Sequence, residues 1–415
     1  MVVGVEHPSR MELHDELHAR PSLYFDGDAN VWHVAVVRDV AAPRIPTELF
    51  GLEGVKTTGN GRHGIANAGE GRRLKWEAHS EFVSLTYIEP GLSDAAGGPP
   101  AQLQNVVDAI DGLVIAAVLV IVRSGEPPTS FGMEGDFVAS KVGGGDAEVH
   151  SSFRLNEEGF VELHFFNRRL NAYRTGRMVR RLLEIETYRM MALLALPAAQ
   201  EIVGGLPEFD RRLAALIEHL RAEEKVEKEL LSEVTRLSSD ILKLSAGARQ
   251  RFGATKAYAE IVASRMAELR EERVEQRQRV CTFIDRRFQP AIRFVQAAER
   301  RLTEITDRVG LASDLLRTSV QVQLEDQNAM LLRSMEERAR VQVHIQQAVE
   351  GFSVIAISYY AVGLAKACFE SLGEFGVDVH AVKATFLFTI PALVFAVWAV
   401  VRHVRRNIAA AGPTH

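Results

Sequence analysis

The sequence predicts three parts in order: an α+β head, a long α-helical coiled stalk and a C-terminal two-helix transmembrane hairpin. Two uncharged apolar runs near the C-terminus indicate the hairpin. Apolar residues at heptad spacing indicate the stalk, and period-two alternation nearer the N-terminus indicates the head. We assign residues 1–172 to the head, 173–348 to the stalk, 349–404 to the hairpin and 405–415 to a basic tail.

Strand signals dominate the head. Val31–Val37 is rich in β-branched residues, and Arg73–His79 and Phe82–Glu89 alternate as the two strands of a hairpin would. Asn105–Val122 begins polar and ends apolar, which fits a helix running into a buried strand, and its periodicity leaves other assignments open. Further strands, separated by glycine-rich turns, are predicted at Phe137–Val142, Glu148–Leu155 and Phe160–Phe166.

Helical patterns replace the strand signals in the stalk. A helix is predicted over Met178–Leu196, ended by Pro197, and Glu208–Ala246 carries a heptad seam. A glycine-containing break at Gly247–Gly253 is predicted to turn the chain back. The helices predicted after it are Thr255–Phe288, Ile292–Val309 after a kink at Pro290, and Leu311–Val349, which enters the first apolar run.

The two apolar runs are Gly351–Ala365 and Ala384–Val401. The second has the length that a helix needs to cross ~30 Å of hydrocarbon. The first reaches that length if Ala348 and Val349 are added at one end and Lys366 extends to the membrane surface at the other. The sequence therefore predicts a two-pass hairpin in the lipid bilayer; the alternative is a buried helical hairpin in a soluble protein.

Charge predicts the orientation of the hairpin. Arginines flank it on both outer sides, at Arg333–Arg340 and Arg402–Arg406, while the loop between the spans is net acidic. The positive-inside rule then places both termini in the cytoplasm and the protein in a bacterial inner membrane. The N-terminus lacks the apolar segment of a cleaved signal peptide. The net charge is only −5 and the arginines of 265–301 alternate with acidic residues, so we expect no nucleic-acid partner.

One polar set in the head has the residue types of a metal site. Glu77, His79 and Glu81 fall on one face if the strand alternation holds, and two carboxylates with an imidazole suit a divalent cation such as Mg²⁺. The alternative is the solvated face of a hairpin. Two histidines at i and i+4, His14 and His18, lack the glutamate that a zinc hydrolase needs directly after the first histidine. No nucleophile or nucleotide motif is present, and we expect no enzymatic activity.

A partly polar stripe enters the first apolar run at helical spacing. Around a symmetry axis, copies of this stripe would line a pore, with rings of Glu350 attracting cations. The alternative is that the small residues of this segment let helices pack closely. The stripe consists of Gln346, Glu350, Ser353, Ile357, Tyr360 and Leu364.

Several segments resemble a bacterial family of uncharacterised membrane-anchored proteins, catalogued as a domain of unknown function. The similar segments cover nearly the whole chain. The family implies the membrane topology and supplies no catalytic residues. The segments are Glu16–Pro21, Lys75–Phe82, Leu182–Arg189, Met191–Pro197 and Val349–Leu364.

The overall layout is also similar to that of CorA-type magnesium channels. That resemblance implies a pentameric homo-oligomer with a long helix running from a cytoplasmic head into the first span. The Gly-Met-Asn signature of those channels is absent, Leu364–Cys368 stands in its place, and Lys366 there would repel cations. The leading expectation is a homo-oligomeric, CorA-like cation channel or transporter. The alternative is a membrane-anchored scaffold or sensor whose head binds a partner.

Overall fold

The computed structural model divides the chain into two compact units, Met1–Asp314 and Leu315–His415, and each is described by itself. It describes residues 7–11, 14, 23–24, 26–38, 49, 52–58, 61–91, 98–128, 131, 137–222, 228–373, 388–392 and 394–403.

The first unit contains a ten-stranded sheet and most of the helices. The strands are β1 (Ala29–Val37), β2 (Glu53–Thr58), β3 (His63–Asn67), β4 (Arg73–Ala78), β5 (Phe82–Pro90), β6 (Leu113–Ser124), β7 (Val138–Val142), β8 (Ala147–Ser151), β9 (Val161–Asn167) and β10 (Glu272–Arg273). The helices are α1 (Ala101–Asp108), α2 (Ala172–Leu193), α3 (Leu196–Ala222), α4 (Lys228–Glu268) and α5 (Val280–Gly373), of which α5 continues into the second unit.

The strand order is β10-β7-β8-β9-β6-β1-β5-β4-β3-β2. The strands pair antiparallel except β6 and β9, which run parallel. A parallel pair needs a crossover, and the β7–β8 hairpin lies within that connection. The result is a mixed sheet.

Both faces of the sheet are covered. On one face Val120, Val149 and Phe165 pack with α2, α4 and the start of α5. On the other face Trp32, Trp76 and Leu85 pack with Leu103 and Val106 of α1. This second face becomes polar over β8 and β9, where the candidate site lies.

The structure confirms most of the predicted strands. The hairpin at 73–89 is present, and the segment predicted as a helix running into a strand is α1 followed by β6. Strands β2 and β3 were not predicted because EGVKTT and HGIAN are short and polar. They pair with β4 and extend the sheet to its edge.

Several helix boundaries in the predicted stalk were wrong: Glu208–Ala246 falls on both α3 and α4, and α5 runs without a break through Pro290 and Gly310. No break occurs at Gly247–Gly253, since α4 runs through it. Burial of Ala248, Phe252 and Thr255 offsets the roughly 1 kcal/mol that each helical glycine costs.

Conversely, the predicted helix Thr255–Phe288 is interrupted after Glu268 by β10, which pairs with β7. The carboxylate of Glu271 accepts hydrogen bonds from the Ser140 hydroxyl (2.5 Å) and the Cys281 amide (2.8 Å). The stretch 270–279, assigned to the stalk from the sequence, is therefore part of the sheet domain, so that domain extends beyond residue 172.

The second unit holds the apolar end of α5 and a shorter apolar helix, α6 (Phe388–His403). By length and composition alone, two helical stretches qualify as membrane spans. Ala172–His219 covers α2 and most of α3, and 33% of its apolar window is buried. Val280–Cys368 is most of α5, and 0% of its apolar window is buried. The first contributes Val179, Leu182 and Ile185 to the core of the first unit, whereas the second leaves its apolar side chains uncovered within the chain. Residues 366–373 of the predicted loop between the spans belong to α5, while the rest of that loop and the tail lie outside the described residues.

We expect Gly176→Ala to lower the free energy of unfolding by about 1–3 kcal/mol, because the added methyl overpacks a backbone contact. An ideal Cβ at Gly176 on α2 would lie 2.0 Å from the carbonyl oxygen of Leu23. Urea unfolding followed by tryptophan fluorescence measures the change. Gly204→Ala on α3, where nothing lies within 4 Å, is the control and should be neutral or slightly stabilising. Equal stability of the two variants would contradict the assigned contact.

Candidate functional site

Polar residues alternate with core residues on two neighbouring strands. On β8, Ala147 and Val149 face the helices, so Glu148 and His150 project from the opposite face. On β9, Val161 and Leu163 face the helices in the same way, which places Glu162 and His164 beside them. His150 and His164 are direct partners in the antiparallel register.

Each histidine is held by the carboxylate two positions before it. The Nε2 atom of His150 lies 2.7 Å from Oε1 of Glu148, and Nε2 of His164 lies 2.7 Å from Oε1 of Glu162. The other oxygen of Glu148 accepts a hydrogen bond from Arg168, whose guanidinium also lies 2.6 Å from Glu126. The hydrogen bond from His164 lowers the pKa of Glu162, with burial acting in the opposite direction.

Burial keeps the His150 imidazole neutral at physiological pH. Its side chain is only 3% exposed, and burial lowers the pKa of His150 although the Glu148 carboxylate acts in the opposite direction. Both oxygens of Glu148 are acceptors, so His150 must donate through its Nε2–H and carry a lone pair on Nδ1. That Nδ1 atom is buried and has no hydrogen-bond partner among the described residues.

A cavity of about 300 Å³ lies beside this cluster. Its volume is at the lower end of the range for small-molecule sites. Cations and carboxylates share its walls with one aromatic ring, and the segment from Val274 to Arg277 closes one side. The lining residues used below are Glu126, Phe131, Lys141, Glu148, His150, Arg168, Glu275 and Arg277.

Phe131 forms the aromatic wall of the cavity. Its ring lies edge-on to His150 at 5.4 Å and to Phe166 at 5.1 Å, and 4.7 Å from His164. Its carbonyl oxygen accepts a hydrogen bond of 3.2 Å from Arg277. The cavity therefore combines a neutral imidazole, oriented by a carboxylate, with an aromatic wall and several cations.

The residues predicted as a metal site lie elsewhere, at the β4–β5 end of the sheet. Glu77 pairs with Lys75, whose Nζ lies 3.2 Å from its carboxylate, and both side chains are largely buried. Burial favours protonation of Glu77, but Lys75 and Arg180 outweigh it and lower its pKa. This face of β4 is thus covered by α2 and is not the solvated hairpin face considered above.

Glu77 and His79 line a small cavity of about 20 Å³, with room for about one water molecule. Glu81 is instead held by α4: Arg251 lies 3.2 Å from each carboxylate oxygen, and the Tyr258 hydroxyl donates to it at 2.7 Å. Among the described residues, no group of three or more His, Cys, Asp or Glu side chains is arranged to hold a metal ion. His14 is among the described residues, whereas His18 lies outside them.

Tyr258→Phe is expected to lower the free energy of unfolding by about 1.5 kcal/mol, because it removes a hydrogen bond to a charged group. Burial and the hydrogen bond to Glu81 both raise the pKa of Tyr258, so its hydroxyl stays protonated and donating at neutral pH. Thermal or urea unfolding measures the loss. Tyr173→Phe, at an exposed tyrosine, is the matched control and should change the stability by less than ~0.5 kcal/mol. Equal effects at both tyrosines would show that the Glu81 contact contributes nothing.

The predicted pore stripe lies on α5 in the second unit. Most of its side chains are exposed within the chain, and Glu350 is half-buried. The neighbouring face of the helix, centred on the buried Ser358, is partly covered. The exposed stripe residues are Gln346, Ser353, Ile357, Tyr360 and Leu364.

Sequence reasoning missed the cavity beside β8. The available signal was the pair of Glu-x-His sequences, at Glu148–His150 and Glu162–His164, each within a strand pattern. Their alternation indicates that each pair shares a face, but it does not show that Arg168 and Phe131 lie beside them.

A family model described as "Protein of unknown function (DUF3422)" matches residues 5–408 of the chain. No curated protein and no solved structure matches it.

Proposed function

Because the chain belongs to the DUF3422 family, whose description assigns no activity, we propose a function from the geometry of this chain: a membrane-anchored protein whose first unit binds a small ligand. The observation that carries the proposal is the cavity of about 300 Å³ beside the buried Glu148–His150 pair. Burying an ordered set of ionisable groups costs free energy, and such sets are concentrated at functional sites.

Membrane anchoring rests on the second unit. The apolar window of α5 has 0% of its residues buried, and α6 adds a second apolar segment. Uncovered side chains such as Phe352, Ile355 and Leu364 need an apolar environment, which a bilayer supplies. The arginine distribution favours cytoplasmic termini, which would place the cavity in the cytoplasm.

The element order suggests how binding would be communicated. The cavity wall includes Val274 and Arg277, and α5 begins only three residues later, at Val280. The same helix carries the apolar window. A ligand that shifts this wall would therefore act directly on the start of the membrane helix, as a sensor requires.

A second candidate is a homo-oligomeric cation channel, with Mg²⁺ as the cation to test first. It is favoured by the exposure of the stripe containing Ser353, Ile357 and Tyr360 on α5. Light scattering of the detergent-solubilised protein, corrected for detergent, tests it. A closed ring of about five subunits whose Mg²⁺ flux in liposomes falls in Tyr360→Ala would support a channel. A monomer or dimer without flux would exclude one.

Two measurements test the leading proposal on the full-length protein. Alkaline carbonate washing should leave it in the membrane pellet, and its release would contradict the anchor. A thermal-shift screen of anionic, cationic and neutral metabolites should give compounds that raise Tm. The absence of any shift across all three classes would contradict ligand binding.

A further inference from the structure

We propose that the cavity beside β8 takes a small organic oxyanion that carries a hydroxyl group, with the charge recognised by Lys141 and the hydroxyl by His150. This inference rests on the proposed ligand-binding function and names the chemical class of the ligand. Carboxylates and phosphate monoesters share the required chemistry, and the experiment below distinguishes them.

The charge distribution of the cavity favours an anion. Three cations line it, and the only deeply buried carboxylate is that of Glu148, whose side chain is 3% exposed. The carboxylates of Glu126 and Glu275 belong to exposed residues at its rim, where solvent screens them. Because Arg168 is paired with Glu148 and Glu126, Lys141 is the cation that an anionic group would neutralise.

The three cations differ in the contacts that they already make within the protein. The Arg168 guanidinium bridges Glu148 and Glu126 and so organises the site. Lys141 is half-buried on β7, and no described residue pairs with its ammonium group. Arg277 also lines the cavity, and one of its N–H groups donates to the carbonyl oxygen of Phe131.

His150 supplies the second recognition element. The Glu148 carboxylate fixes the tautomer of His150, which leaves a lone pair on Nδ1. That lone pair can accept a hydrogen bond from a ligand, and it repels a negatively charged group. A ligand hydroxyl is the neutral donor that fits this acceptor. Because Nδ1 is buried, the side chains around it have to move for the hydroxyl to reach it; the Phe131 ring lies edge-on 5.4 Å from the imidazole.

The probes for calorimetry with the full-length protein are D-glycerate, propionate, glycerol and glycerol 3-phosphate. Glycerate or glycerol 3-phosphate should bind. Tighter binding of glycerate would identify the ligand as a carboxylate, and tighter binding of glycerol 3-phosphate would identify it as a phosphate monoester. Propionate, which lacks the hydroxyl, should bind at least about 10-fold more weakly than glycerate, because it leaves a buried acceptor unpaired. Glycerol, which lacks the charge, should not bind measurably.

Lys141→Met should weaken binding of the tighter oxyanion by at least about 10-fold. Lys56→Met is the matched control, since Lys56 is exposed on β2 at the far edge of the sheet, and its affinity should equal that of the wild type. His150→Gln should reduce the preference for glycerate over propionate. If this variant fails to fold, the comparison of the two probes on the wild-type protein still tests the hydroxyl contact.

Three results would overturn the inference: glycerol binding as well as glycerate, propionate binding as well as glycerate, or no effect of Lys141→Met. If none of the oxyanions binds but a cationic or neutral compound does, the ligand class is wrong and the proposed function stands. If no compound of any class binds, the proposed function fails as well.

Discussion

Arg189→Met is expected to lower the free energy of unfolding by about 3–5 kcal/mol, because it leaves the Glu186 carboxylate buried and unpaired. Both residues lie on α2, and their side chains are 3% (Glu186) and 14% (Arg189) exposed. Arg189 is bound to Glu186 and also lies 5.7 Å from the ring centre of Phe153. Urea unfolding at pH 7 measures the loss.

The double variant Glu186→Leu with Arg189→Met separates the loss of the pair from the cost of an unpaired charge. It removes both charges and should recover most of the stability lost in the single variant. A decrease of less than ~1 kcal/mol in the free energy of unfolding of Arg189→Met would show that the Glu186 carboxylate does not need Arg189 as its ion-pair partner.

Acidification provides a second readout of the Arg189→Met variant. Burial raises the pKa of Glu186, with Arg189 acting in the opposite direction, so removal of the arginine raises that pKa further. A carboxyl group whose pKa is higher in the folded state stabilises the fold when it is protonated, and this contribution is lost as pH rises through the folded pKa. The variant should therefore regain part of its lost stability, relative to the wild type, as pH falls from 7 to 5.

About 3 kcal/mol of stability is expected to be lost as pH falls from 6.5 to 4, because His33 takes up a proton in the unfolded chain but stays neutral in the folded protein. The imidazole is buried, with Nδ1 2.8 Å from the Thr86 hydroxyl and Nε2 3.0 Å from the Thr187 hydroxyl. Burial lowers the pKa of His33 from 6.5 to about 4, with Glu77 acting in the opposite direction and Lys75 reinforcing burial. The contribution of the neutral form is complete above pH 6.5, and each pKa unit of difference corresponds to about 1.4 kcal/mol.

The test is the stability difference between pH 7 and pH 5, measured by urea unfolding. His33→Gln cannot be protonated, so that difference should be about 2 kcal/mol smaller than in the wild type. His219→Gln, at an exposed histidine, should leave the difference unchanged. An identical pH dependence in the wild type and His33→Gln would mean that His33 is not held neutral by its surroundings.

Local patterns in the sequence determined most of the secondary structure. Period-two alternation is a property of a single strand, so it located β4 and β5 without any partner strand, and β-branched composition located β1 in the same way. Apolar composition likewise located the uncovered stretch of α5, because a run without charges is visible residue by residue. The proposals for the second unit rest on this local information.

Tertiary structure decided which polar residues meet. Glu77, His79 and Glu81 are close in sequence, yet Arg251 and Tyr258 of α4 draw Glu81 away from the other two.

The cavity shows the opposite case. Glu148, Arg168 and Arg277 are separated by long stretches of sequence and meet only because the β7–β8 hairpin lies in the crossover from β6 to β9 and β10 pairs with β7. The sequence by itself determined most of the strands, the apolar segments and the family resemblance. The site depended on strand pairing between distant segments, which the periodicity of one segment does not encode.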